Sequence, residues 1–210
     1  FIQLAADLGG QRLREMALRF GFSKEDLMAD TLQTAKGNLP TEEQLENPAE
    51  LANFGFGQGL LTATPIQICK MVAAIANGGS LMAPQLIEGF YTGGIMQKEE
   101  LFSANRILSE KTAERLQNFM KTVVTEGSGQ LANPAAGGAG GKTASAQTGI
   151  YDENGEEIVH AWFGGFYPAE NPQYAIVVFI ENGQSGNRAA APLFALAADA
   201  VLAEGLTARP

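Results

Sequence analysis

A chain of 210 residues with 45% hydrophobic content is long enough for one substantial core, or for one core with a smaller lobe attached. Fourteen basic against twenty-three acidic side chains give a net charge of -9, which repels nucleic acid and anionic membrane surfaces and disfavours polyanion binding as the main task. The single Cys69 excludes an internal disulfide and a cysteine-built metal cluster, and its place in the apolar run from Ile66 to Ala76 reads as a small buried hydrophobe.

The chain opens in mid-pattern at Phe1 without an initiator methionine, which reads as a fragment whose beginning lies elsewhere. Nothing in it resembles a membrane span or an export signal. Phe1, Leu4, Ala5 and Leu8 recur at helical spacing; Gly9-Gly10 interrupts, and Leu13, Met16, Ala17 and Phe20 resume the period up to Gly21. Two short helices are expected, each with an apolar face that needs a partner. Ser23 to Glu50 is charged and turn-rich, with Lys36-Gly37-Asn38-Leu39-Pro40 as its clearest turn, and reads as surface connection. Phe54 to Gly59 reads as a glycine-punctuated loop.

A helix start then follows at Thr62-Ala-Thr-Pro-Ile-Gln67: Thr64 can cap, Pro65 suits the first helical position and Gln67 can reach back. That helix is apolar nearly all round, should be buried, and stops at Asn77-Gly78-Gly79. Ser80 to Tyr91 reads as extended. Ser109 opens an amphipathic helix through Ala113, Leu116, Met120 and Val123, ending near Gly127. After the glycine-rich stretch at Gly137 to Gly149 come a hairpin turn at Tyr151 to Gly155, a strand from Ile158 to Tyr167, a turn at Pro168 to Pro172 and a strand from Tyr174 to Glu181. Ile176 to Ile180 is apolar without alternation, as in a strand covered on both faces, and the alanine-rich segment Ala189 to Ala203 reads as a closing helix. The predicted class is α/β of the α+β type: an antiparallel sheet flanked by helices, with a mostly helical lobe over 1–130 and strands with the final helix over 138–210.

The stretch Gly137-Gly-Ala-Gly-Gly-Lys-Thr-Ala-Ser-Ala-Gln-Thr-Gly149 carries the candidate chemistry. Ala136 to Thr143 matches a relaxed phosphate-loop pattern, AxxxxGKT, yet a phosphate loop follows a buried strand and opens a helix. Ser128 to Ala136 has no branched apolar run, and turn residues at Gly149 to Gly155 leave no room for a helix. As a strand, the stretch places Thr143, Ser145 and Gln147 on one face and Lys142, Ala144 and Ala146 on the other. Hydroxyls of Thr143 and Ser145 can hold a substrate carboxylate, and the Ser145 backbone amide can donate to an oxyanion. Lys142 would then have to reach around from the strand's first position. A plain flexible loop with a solvent-exposed lysine remains a third reading.

Gly141-Lys-Thr-Ala-Ser-Ala-Gln147 resembles the KTGT box of penicillin-binding transpeptidases. Its surroundings match in the same order: Phe1-Ile-Gln-Leu-Ala5 with Leu8-Gly9, Gly57-Gln-Gly59, Thr64-Pro-Ile-Gln67, Ala76-Asn-Gly-Gly79, Val123-Val124 with Glu126-Gly-Ser-Gly129, and His160-Ala-Trp-Phe163 with Gly165-Phe166. The chain is similar over nearly its whole length to the C-terminal part of a class B penicillin-binding protein. That resemblance implies a serine acyl-enzyme, cross-linking of peptidoglycan stem peptides ending in D-Ala-D-Ala, β-lactam antibiotics as acylating mimics, and no cofactor or metal. It makes Lys142 and the Ser145 amide catalytic, and Thr143, Ser145 and Gln147 substrate-binding. It also implies work at the extracytoplasmic face of a bacterial membrane, in a parent anchored by a segment not in this chain.

The match is incomplete. No Ser-x-x-Lys box, the family's nucleophile, occurs in these residues. The Ser-x-Asn strings at Ser103-Ala-Asn105 and Ser185-Gly-Asn187 stand in the wrong places and read as coincidence. Ala144 and Ser145 replace the usual glycine and threonine. The expectation is therefore half of a site, without turnover, which needs the missing N-terminal half of the domain or else self-associates. A serine β-lactamase or β-lactam sensor, and a non-catalytic interaction domain of the cell-wall machinery, are the alternatives. His160 reads as structural rather than as base or ligand, Trp162 as packing between sheet and helix, and Asp152, Glu153, Glu156 and Glu157 as a solvated turn.

Overall fold

The computed structural model describes residues 1–29, 32–98 and 104–205. The class is as expected, mixed helices and antiparallel strands. Two compact units divide the chain: Phe1–Lys70 with Ser80–Ile107, and Met71–Gly79 with Leu108–Pro210.

In the first unit, α1 (Ile2–Leu8) and α2 (Gly10–Arg19) are the two short helices expected, broken at Gly9, whose φ of 81° a side chain would resist. Gly10 then faces Leu45, and a methyl placed on it would stand 2.6 Å from the Leu45 Cβ. The segment read as surface connection holds more than that. Leu39 and Leu45 are buried, β1 (Leu27–Ala29) pairs with β2 (Leu32–Gln33), and α3 (Pro48–Gly55) begins where Asn47 accepts a hydrogen bond from the Ala49 amide. The signal was present in Asn47-Pro48, a cap followed by proline at the first position.

The helix α4 (Pro65–Ala76) starts as expected. The Thr64 amide donates to Gln67 Oε1 at 3.0 Å and the Gln67 amide to Thr64 Oγ1 at 3.3 Å, a reciprocal capping box. Its first turns belong to the first unit and carry two buried polar residues that its apolar sequence hides. Gln67 donates to the carbonyls of Gly21, Lys24 and Lys36, and Lys70 pairs with Asp26 at 2.5 Å. The strands β3 (Ser80–Leu81), β4 (Gly89–Thr92), β5 (Ile95–Lys98) and β6 (Asn105–Arg106) form two small antiparallel pairs, β3 with β6 and β4 with β5. Arg19 ties α2 to this region by donating to the Ile107 carbonyl.

The second unit is built on a sheet ordered β7-β8-β9, antiparallel throughout: β7 (Gly140–Tyr151), β8 (Glu157–Tyr167) and β9 (Tyr174–Ile180). The helix α5 (Glu110–Thr125), capped by Ser109 accepting from the Thr112 amide, packs on β7 within this unit. The helix α6 (Ala191–Ala203) follows a wide π-type turn at Gly186–Ala190. Phe163, Tyr167, Ala161, Val124, Phe194 and Ala198 form the core, with Phe163 and Phe194 rings 4.7 Å apart. Along β9, Tyr174, Ile176, Val178 and Ile180 pack on this core, while Phe179 takes the other face against His160 and Trp162. Both faces are therefore apolar, though every residue of β9 is only half-buried.

Candidate functional site

From Gly140 the glycine-rich stretch is a strand at one edge of the three-stranded sheet of the second unit, not a loop opening a helix, so it lacks the amide ring and dipole that a phosphate cradle needs. Its glycines serve packing. A methyl placed on Gly140 would stand 2.3 Å from the Phe166 ring, and one on Gly141 would stand 2.4 Å from the Phe163 ring. Both phenylalanines are fully buried, so the strand lies flat on two rings that come from opposite faces of β8.

Registers of Thr143 with Phe163, Ser145 with Ala161 and Gln147 with Val159 put the three polar residues on one face, as alternation requires. Ala144, opposite Trp162, carries its methyl on the other face. Lys142 also begins on that other face, yet its Nζ curls back to donate to the Thr143 carbonyl at 2.7 Å and to Thr143 Oγ1 at 3.3 Å. An exposed four-carbon stem makes the reach that strand alternation alone would forbid. The same Thr143 hydroxyl lies 2.9 Å from Ser128 Oγ, in the turn after α5. Lys142, Thr143 and Ser128 thus bring an ammonium and two hydroxyls together, a set suited to a carboxylate. Ser128 was not among the site residues read from sequence; its signal was only its place in Glu126-Gly-Ser-Gly129 after the α5 cap.

The other expected members part company. Gln147 Nε2 donates to Glu157 Oε2 at 2.7 Å across the hairpin. Ser145 Oγ accepts from the Gly186 amide at 3.2 Å. Ser103 lies outside the described residues. Ser185 caps the π-type turn by accepting from the Arg188 amide, a structural use of that Ser-x-Asn string.

His160 Nδ1 accepts from the Asn182 amide at 3.2 Å and its ring stands edge-on to Phe179. Trp162, expected between sheet and helix, is instead half-buried and tilted against Phe179 of the neighbouring strand, 4.4 Å between centroids. Asp152 organises the hairpin tip, accepting from the Asn154 and Glu156 amides, and the Glu156 amide first of all holds its carboxyl below the usual carboxylate range. Burial pushes the Cys69 thiol up, which keeps it protonated and slow to react at neutral pH.

A family model described as the penicillin-binding protein transpeptidase domain matches residues 1–199. Stage V sporulation protein D of Bacillus subtilis is 32% identical over 203 residues, covering 92% of this chain and 30% of that protein. The peptidoglycan D,D-transpeptidase MrdA of Haemophilus influenzae is 29% identical over 214 residues, with 92% and 33% covered. Among solved structures, penicillin-binding protein 3 of Mycobacterium tuberculosis superposes with a TM-score of 0.82 at 26% identity, over 100% of this chain and 50% of that one. The D,D-transpeptidase domain of a peptidoglycan glycosyltransferase from Eggerthella lenta gives 0.83 at 27% identity, over 99% and 51%. The mycobacterial protein has also been solved with ampicillin. The chain spans about a third of the length of these two curated relatives.

Proposed function

This chain belongs to the transpeptidase domain family of the class B penicillin-binding proteins, and on that premise we propose that it supplies the substrate-binding wall of a serine D,D-transpeptidase that cross-links peptidoglycan. The substrate is a stem peptide ending in D-Ala-D-Ala, and β-lactam antibiotics take its place. The supporting observation is the cluster of Lys142 Nζ, Thr143 Oγ1 and Ser128 Oγ on the edge strand β7. A terminal carboxylate has one cation and two hydroxyls to meet there, while the edge of β7 can pair with an extended peptide.

Thr143 and Ser128 meet the carboxylate in this reading, Ser145 adds a further hydroxyl from the same face of β7, and the Ser145 amide faces the oxyanion. Gln147, tied to Glu157, takes part only after releasing that bond. The serine of a Ser-x-x-Lys box, absent from these 210 residues, forms an ester with the penultimate D-Ala carbonyl. Terminal D-Ala leaves as the free amine with the serine proton; a neighbouring stem's amine then attacks the ester, forms the new amide as the serine C–O bond breaks, and gives up a proton that returns to the serine. Lys142 stabilises charge at the substrate end. The N-terminal half of the domain is the partner that carries the nucleophile, and the whole works at the extracytoplasmic face of a bacterial membrane through an anchor in the parent.

Fluorescent penicillin tests both halves of this reading. The 210-residue chain should take up no covalent label, whereas the longer protein containing the Ser-x-x-Lys half should be labelled, and Lys142→Ala in it should slow labelling about a hundredfold or more. A stable acyl adduct on a serine of the short chain, or labelling indifferent to Lys142, would refute the proposal.

A further inference from the structure

The segment between β9 and the π-type turn doubles back across β8 to reach β7. Asn182 and Gln184 hold left-handed backbone conformations, φ 49° and 63°, which residues with side chains keep only where their surroundings impose them. Here the surroundings are explicit. The Asn182 amide donates to His160 Nδ1 at 3.2 Å, the Gln184 amide to the Val159 carbonyl at 3.0 Å, and Gln184 Nε2 to Asn182 Oδ1 at 2.8 Å. A methyl placed on Gly183 would stand 2.6 Å from the Ala161 Cβ, so the loop is pressed flat on the strand. An imidazole accepting at Nδ1 carries its proton at Nε2.

This path delivers Gly186 onto the backbones of β7 and β8. A methyl placed on Gly186 would stand 2.3 Å from the Ala144 carbonyl oxygen and 2.6 Å from that of Trp162, both backbone atoms that cannot give way. From that position the Gly186 amide donates to Ser145 Oγ at 3.2 Å.

We propose that the loop from Asn182 to Gly186 is a latch on the ligand-binding strand, in which the Gly186 amide, held through Asn182 by His160, positions the Ser145 hydroxyl to donate to a carboxylate. A hydroxyl has one proton and two lone pairs; an N–H on one lone pair takes that position from the proton and narrows the rotor to the remaining two. A donor whose rotor is already narrowed loses less entropy when a ligand arrives. His160 is a positioning residue here, neither a base nor a metal ligand.

The inference rests on the reading of Thr143 and Ser145 as the carboxylate wall. It is tested in the longer protein carrying the Ser-x-x-Lys half, by the rates at which benzylpenicillin and its methyl ester acylate the enzyme. Gly186→Ala and His160→Ala should lower the acid-to-ester rate ratio about five- to tenfold, the loss of one well-placed donor to a charged acceptor. His160→Asn, whose Oδ1 can accept in place of Nδ1, should restore the ratio. General destabilisation slows both compounds alike and leaves the ratio where it was. Should Gly186→Ala fail to fold, the two His160 variants decide. A ratio unchanged in His160→Ala overturns the latch while leaving the wall intact; a wild-type protein that penicillin does not acylate overturns the wall and the latch together.

Discussion

Lys70 shows how much a single position can conceal. It stands in the run Pro65-Ile-Gln-Ile-Cys-Lys-Met-Val, where a lysine would ordinarily mark the wet side of a helix. Its side chain is only 7% exposed, and Asp26, at 14%, meets its ammonium at 2.5 Å. Gly21 backs the pair at a φ of 85°, and a methyl placed on it would stand 3.2 Å from Lys70 Nζ. The Asp26 amide is itself held by Thr34 Oγ1, so the carboxylate is set in place by a local turn. A cavity of about 270 Å³ adjoins it, lined by Lys24, Leu81 and Met82 among others. Asp26→Ala would strand a buried ammonium, and the expected loss is about 3–5 kcal/mol, read as a lowered denaturant midpoint with an unchanged m-value. Asp26→Ala with Lys70→Met should recover most of that loss, because the buried charge goes with its partner. A single variant as stable as wild type would show that water reaches the pair. None of this was legible in sequence, since the partners are far apart in the chain and nothing local names one for the other.

Elements whose signals are local were legible, and those fixed by distant neighbours were not. The capping box of α4, the Ser109 cap of α5 and the turn at Asp152 to Gly155 each satisfy their own backbone groups, and each was found. The cap of α3 is just as local, but charged neighbours masked it. The strand β7 lies between these cases. Alternation gave its faces correctly, whereas the curl of Lys142 onto Thr143 and the support from Ser128 depend on side-chain reach and on where α5 ends. Its glycines can be tested as packing elements. Gly141→Ala drives a methyl against a ring that is fully buried and hemmed in by Phe194, and overpacking of this kind costs about 1–3 kcal/mol. Gly155→Ala, in open space at a φ of 78°, should cost about 1 kcal/mol through its backbone alone. Thermal melts of the two variants separate the effects: equal shifts would mean that β7 yields and that the glycine run is not set by the Phe163 ring.

At the scale of the molecule, two surfaces argue for a covering that these residues do not supply to themselves. In the first unit, Phe1 is 88% exposed, and Ile2, Leu4 and Leu8 stand in solvent around the single buried Ala5 of α1. In the second, β9 is the last strand in the order β7-β8-β9, and no described strand pairs with its other side. An apolar strand at the end of a sheet invites a further strand, whether from its own chain or from a neighbour. Under the proposed function the occupant is the N-terminal half of the domain; a second copy is what remains when that half is absent. The 210-residue chain should therefore sediment with a mass that rises with concentration across the micromolar range. Added as a separate polypeptide, the N-terminal half should return it to a discrete complex that now takes up fluorescent penicillin. The net charge of -9 works against association, so added salt should strengthen the self-associated form by screening that repulsion. A compact monomer at every concentration and salt would mean that α1 and β9 are stable uncovered, and the case for a complementing half would then rest on the absent Ser-x-x-Lys box alone.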